Sequence, residues 1–233
     1  MDLKRLAASA AVIAATAGSL AIAIRANGQK DGGLTKMRQE LAHREHGLRG
    51  AASVTGSYVG RIQNDELGSP SSLRSLTASA DVVVLARIDS NLCQLTKDGF
   101  SIITQYETVV ERVFKGSIAA GDRFFLTLPG GRVTFEEGTW AQLNVPDLAR
   151  PEDGGRYLLF LRDALPIYGA ELPVSKRHGY VPAFGGLGIY SLNPRGAFVY
   201  PAGNVKSLLG RKVAGERMSV EAFLRQIEVL ARD

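Results

Sequence analysis

"FSIITQYETVVERVFKG", residues 100–116, decides the fold. Phe100, Ile102, Thr104, Tyr106, Thr108 and Val110 fall on one face at period two, and Gln105, Glu107 and Glu111 on the other. That is the alternation of a long strand with one apolar face and one wetter face. A helix would bring apolar residues together at every third or fourth position instead. The alternation slips where Val113 and Phe114 stand side by side, which predicts a bulge before Lys115-Gly116.

The neighbouring segments carry the same kind of signal. "ADVVVLARI", residues 80–88, is a nearly continuous β-branched run and reads as a central strand. "DRFFLTLPGG" holds Phe124, Leu126 and Leu128 in phase and ends at Pro129-Gly130-Gly131. "RVTFEEGTWAQLNVP" reads as strand, turn and strand, and Tyr157–Leu161 as a fully buried strand. In "GIYSLNPRGAFVYP", Asn193-Pro194-Arg195-Gly196 is a turn between Ile189–Leu192 and Ala197–Tyr200, which predicts a hairpin.

Two helices frame these strands. Ser69-Pro70 places a cap before a proline at the first helical position, so "SPSSLRSLTAS" is expected to open a short helix with Leu73 and Leu76 inward. At the other end Ser219 is the expected cap and Glu221 lies in the first turn. Val220, Phe223, Leu224, Ile227 and Leu230 then form a stripe at helical spacing. The fold class expected is mostly β: an antiparallel barrel or sandwich over residues 69–233, with a short N-terminal helix and a C-terminal capping helix.

Residues 27–68, rich in Gly, Ser and charges, are expected to be a flexible tether with at most one short helix, Leu34 to His43, in which Leu34, Met37 and Leu41 share a face. Before them, Leu6 to Ile24 is nineteen residues without a charge, preceded by Lys4 and Arg5 and followed by Arg25. A charged start and an apolar run are the layout of an export signal or an N-terminal membrane anchor, so residues 1–26 are assigned that role. Nine of the nineteen are Ala and six are Leu, Ile or Val, a weaker apolar drive than a Leu-rich span has. Ala21-Ile22-Ala23 and Ile24-Arg25-Ala26 are the candidate cleavage sites. The expected location is the periplasm, the cell envelope or the exterior, with residues 6–24 in the membrane if they are retained.

The chain has 28 Lys and Arg against 23 Asp and Glu. Taking away Lys4, Arg5, Arg25 and Asp2 with residues 1–26 leaves 25 against 22, which suits solubility and not a nucleic-acid footprint. One cysteine, Cys93, excludes an intrachain disulfide, and it reads as a buried small hydrophobe or an exposed thiol.

"ADVVVLARI", "YETVVERVFKG", "GGR", "GGRYLLFL" and "FGGLGIYSL", in that order over roughly residues 70 to 200, resemble a family of poorly characterised exported bacterial domains. The pattern is also similar to barrels of the OB type, above all the netrin-like module of tissue inhibitors of metalloproteinases. Those inhibitors use an N-terminal cysteine and several disulfides, whereas Cys93 stands alone in mid-domain, so their inhibitory mechanism does not carry over. Neither resemblance brings catalytic residues with it.

The candidate chemical motifs read as follows. His43, Glu45 and His46 are not at the i, i+4 spacing that lets two imidazoles face one zinc ion, and no metal or other cofactor is expected. Gly185, Gly186 and Gly188 lead into a strand and not into a helix, so turn geometry or close packing is expected there in place of a phosphate cradle. Glu136-Glu137 and Glu152-Asp153 lie in turn contexts as solvated pairs. Lys206, Arg211, Lys212 and Arg217 are basic residues of a Gly-containing stretch. Trp140, Tyr180 and Phe184, with His178, are the candidate binding residues, lining a groove on the barrel. The expected function is a non-enzymatic exported module that binds a protein, peptide or glycan of the envelope. The alternatives are an envelope hydrolase using His178 as acid and base, and a nucleic-acid barrel, which export and scattered charge disfavour.

Overall fold

A computed structural model describes residues 32–62, 70, 72–146, 148, 150–164, 179–192, 199–201 and 219–232. Residues 32–53 are helical and are called α1 here. The strands are β1 (Ser57–Arg61), β2 (Val82–Leu95), β3 (Ile102–Lys115), β4 (Arg123–Pro129), β5 (Gly131–Thr134), β6 (Trp140–Asn144), β7 (Arg156–Asp163), β8 (Gly179–Pro182), β9 (Ile189–Leu192) and β10 (Val199–Pro201). Two more helices are α2 (Leu73–Ser79) and α3 (Val220–Leu230).

The main sheet runs β10-β9-β7-β2-β3-β4-β8, and β8 returns to pair with β7, which closes a ring. Neighbours in the ring are antiparallel except β4 and β8, which run parallel through Phe125 opposite Gly179 and Leu126 opposite Tyr180. With β2, β3, β4, β7 and β8 taken as first to fifth, the circuit is 1-2-3-5-4, the strand order of an OB-type Greek-key barrel. The expected mostly β barrel with a helix before it and one after it is the fold observed.

Inside the ring, Val82, Val84, Ala86 and Ile88 of β2 meet Tyr106 and Val110 of β3, Phe124, Leu126 and Leu128 of β4, and Tyr157, Leu159 and Leu161 of β7. Strict pairing does not run the full fourteen residues of the two long strands, because one-residue bulges shift its phase and sharpen the local twist. There are three such shifts: Phe114, Glu111 and Asp89 are each passed over in the pairing of β2 with β3. The slip expected at Val113-Phe114 is the first of these. Val113 consequently packs against the barrel interior and Phe114 against the outer layer.

That outer layer lies on the other face of β2, β7 and β9. Leu73 and Leu76 of α2 and Phe223 and Ile227 of α3 cover Val83, Leu158, Phe160 and Tyr190. Ser219 caps α3 by accepting the amide of Ala222 at 3.2 Å. The cap of α2 is Ser72 and not Ser69: Ser72 and Ser75 exchange side-chain-to-amide bonds at 3.1 Å each. Lys115 Nζ closes the C-terminus of α2 by donating to the carbonyls of Thr77 and Ala78, at 3.0 Å each. The hairpin of β9 and β10 forms as expected, and its turn, 193–198, lies outside the described residues.

Residues 32–62 depart from the expected tether. A second sheet, β1-β6-β5, joins β1 parallel to β6 and β6 antiparallel to β5. Leu48 and Ala52 of α1 are buried with Phe135, Ala141, Leu143 and the far end of the β2–β3 hairpin, including Ile102, Cys93 and Leu95. The helix bends at Gly47, which holds φ 65° where a Cβ would meet the carbonyl oxygen of Gly99 at 2.4 Å. The Leu48 amide leaves the helical pattern to donate to that same oxygen at 2.9 Å. Small residues do the burying here, so a hydrophobic period long enough to read as a helix is missing from the sequence.

Candidate binding face

The three-stranded sheet has one covered side and one open side. Along β6, Ala141 and Leu143 are buried while Trp140, Gln142 and Asn144 point the other way; along β5, Val133 turns inward and Arg132 and Thr134 outward. On β1, Tyr58 packs inward while Ser57, Val59 and Arg61 take the open side, Val59 at 58% exposure. Register sets Val59, Gln142 and Arg132 in one row across the sheet, and Ser57, Trp140 and Thr134 in the next.

Trp140 stands at the start of the central strand, in the end row of this face. The Arg132 guanidinium lies 4.0 Å from the centre of its ring, a close cation–π contact that presents a flat apolar body beside a fixed positive charge. Gln142 Nε2 donates to Asn144 Oδ1 at 2.8 Å, which orients two amides along the same strand. The turn that aims Trp140 closes through Phe135 and Thr139, with the Phe135 amide donating to the Thr139 carbonyl at 2.8 Å, and Gly138 taking φ 80°. Glu136 and Glu137 are exposed in that turn, as expected. Beside the face, a cleft of about 540 Å³ separates α1 from β1, lined by Thr35, Lys36, Gln39, Glu40, Tyr58 and Val59 among others. Val59 borders both.

The other expected residues fall elsewhere. Tyr180 belongs to the barrel, with its ring 5.2 Å edge-on to Phe124. Burial, then the carboxylates of Asp163, Asp81 and Asp122, push its phenol up from the ordinary value. Phe184 packs against the outer layer and holds φ 55° at the start of the short 3-10 turn Gly185–Gly188. Trp140, Tyr180 and Phe184 therefore sit in three packing environments and do not line one groove. The reason is topological: β6 lies in the second sheet, and β8 with the turn after it closes the first. His178, Lys206, Arg211, Lys212 and Arg217 lie outside the described residues.

The glycines after Phe184 act by packing. A Cβ on Gly188 would meet the Ala183 carbonyl oxygen at 2.6 Å and that of Phe160 at 2.8 Å. In α1, His43 turns inward, stacked on Tyr58 at 5.4 Å and edge-on to Phe100 at 5.7 Å, while the largely exposed His46 neighbours Glu45 at 3.8 Å. The two imidazoles thus do not converge. Cys93 is half-buried, its Sγ 3.3 Å from Thr104 Oγ1, which itself donates to the Gly130 carbonyl at 2.7 Å. At the same end of the barrel, burial pushes Tyr106 up to about 12, with the Arg150 charge opposing.

No protein-family model matches the chain, and no curated protein matches it. The open sheet face thus stands on its own geometry. Sequence reasoning singled out Trp140 and missed Arg132, Val59 and Gln142. The signal was present in "WAQLN", whose alternation separates Trp140, Gln142 and Asn144 from Ala141 and Leu143.

Proposed function

We propose that this chain is an exported, non-enzymatic binding module of the cell envelope, carried there by residues 1–26, and that it takes a protein, peptide or glycan on the open face of β1-β6-β5. The observation that supports this reading is the Arg132–Trp140 stack on an open sheet face, with Gln142 and Asn144 following along the same strand. An indole offers an apolar plane to a sugar ring or a side chain, and the amides and guanidinium beside it supply the hydrogen bonds that orient a polar ligand. Such aromatic and arginine anchors dominate recognition surfaces.

Trp140 is the chain's sole tryptophan, so its emission reports on this face alone. Titrating the full chain with a set of envelope oligosaccharides and short peptides should give a saturable change in that emission for at least one ligand. Arg132→Ala should weaken that ligand about tenfold or more without lowering the melting temperature. Binding seen by calorimetry with Trp140 emission unchanged would move the site elsewhere. A reporter enzyme that is active only outside the cytoplasm, fused after Asp233, tests export separately.

A further inference from the structure

Over residues 32–42, α1 is turned against the usual rule that a helix of a globular protein faces its apolar stripe inward. Leu34, Met37 and Leu41, spaced three and four residues apart, are 50%, 62% and 56% exposed. In this first part of the helix the inward side carries a polar residue, Gln39, whose Nε2 donates to Thr55 Oγ1 at 2.8 Å and to the Ser57 carbonyl at 2.9 Å. Arg38 and Arg44, both exposed, border the stripe on its two sides at helical periodicity. From Arg25 to Arg49 the chain carries six basic residues against three acidic ones.

The sequence ahead of α1 says what covers this stripe. Nine residues, 25–33, separate the uncharged run Leu6–Ile24 from Leu34. About ten steps of chain from Ile24 to Leu34 reach at most about 35 Å, so a membrane that holds the run holds α1 at its surface. We propose that Leu34, Met37 and Leu41 dock on an anionic phospholipid bilayer, with Arg38 and Arg44 at the headgroup phosphates. α1 thereby fixes how the barrel stands on the membrane. This rests on the reading of an envelope chain with residues 6–24 in lipid.

The test uses the full chain in vesicles of phosphatidylcholine, with and without phosphatidylglycerol. Cys93→Ser leaves no other thiol, so Met37→Cys and, as an exposed apolar control on β2, Leu92→Cys each take one environment-sensitive label. In anionic vesicles the label at 37 should shift to the blue and be quenched by nitroxide-bearing lipid about tenfold more than the label at 92. Hydrogen exchange on the unsubstituted chain should show residues 32–46 gaining protection only in anionic vesicles. A water-like label at 37 on a chain that floats with the vesicles would overturn the docking and leave the anchor standing. A chain that fails to float would remove the anchor and the docking with it. A blue shift in detergent without lipid, together with a dimeric mass, would assign the stripe to a second copy and overturn the proposal.

Discussion

Gly131→Ala tests the joint where the barrel passes into the second sheet. Gly131 holds φ 142°, and a Cβ there would lie 2.7 Å from Thr104 Oγ1, 2.9 Å from Cys93 Sγ and 3.1 Å from Ile102 Cγ2. Thr104 cannot swing aside without giving up its 2.7 Å bond to the Gly130 carbonyl, and Ile102 is fully buried. The backbone strain costs about 1–2 kcal/mol, and inserting a methyl into a filled site costs about 1–3 kcal/mol more. Together that is about 2–5 kcal/mol, which for a chain of 233 residues lowers the melting temperature by roughly 5–15 °C. Gly138→Ala is the internal control: φ is 80° there, but nothing lies within 4 Å of the added methyl. It should lose only the strain, about 1 kcal/mol, or roughly 2–4 °C. Thermal melts and urea titrations followed by far-ultraviolet circular dichroism measure both. Equal losses in the two variants would refute the argument that packing around Thr104 and Cys93 sets the joint.

Two further outcomes follow from the charges. Burial pushes Tyr106 and Tyr190 up to about 12, so the folded chain keeps protons that the unfolded chain sheds near pH 10. Their contribution to stability is therefore complete below about pH 10 and is lost as pH rises through 10 to 12. Tyr190→Phe keeps the rings of Phe160 and Phe223 packed and should raise the midpoint pH of alkaline unfolding; an unchanged midpoint counts against the linkage. Arg123 Nη1 lies 3.0 Å from Asp89 Oδ2 and 3.1 Å from Glu107 Oε1 on a half-exposed side chain. Arg123→Ala should cost about 1 kcal/mol or less at low salt, shrinking toward zero near about 1 M salt in urea titrations. A loss that salt leaves intact would assign the role of Arg123 to packing.

The sequence was most legible where one period governs many residues. Ile102, Thr104, Tyr106, Thr108 and Val110 are buried together as the alternation requires, and Phe124, Leu126 and Leu128 likewise. Phe100, placed on the same face by that count, lies beyond the strand at 42% exposure, because pairing begins at Ile102. Gln105, on the wetter face by alternation, is buried, its side chain accepting from Gln94 Nε2 at 3.1 Å. The second sheet was illegible for a physical reason: β1 pairs in parallel with a strand about eighty residues later, and local pattern carries no trace of such a partner. The spacing of Leu34, Met37 and Leu41 was visible, but spacing gives a face without saying which way it points. Only residue type links Trp140, Tyr180 and Phe184 in the sequence, and residue type is silent about the sheet each one joins.

The β2–β3 hairpin serves two separate interiors. Its barrel half supplies Val84, Ala86, Tyr106 and Val110, and its far half supplies Cys93, Leu95 and Ile102 to the packing under α1. Cutting the chain at the boundary that composition suggests, near residue 69, would strip α1 and β1 from the far half and leave Ile102, Phe135, Ala141 and Leu143 facing water. Such a fragment would be sticky, and capture experiments made with it would report adhesion in place of recognition. The shortest faithful reagent therefore begins upstream of Gly32, so that both interiors melt as one cooperative body.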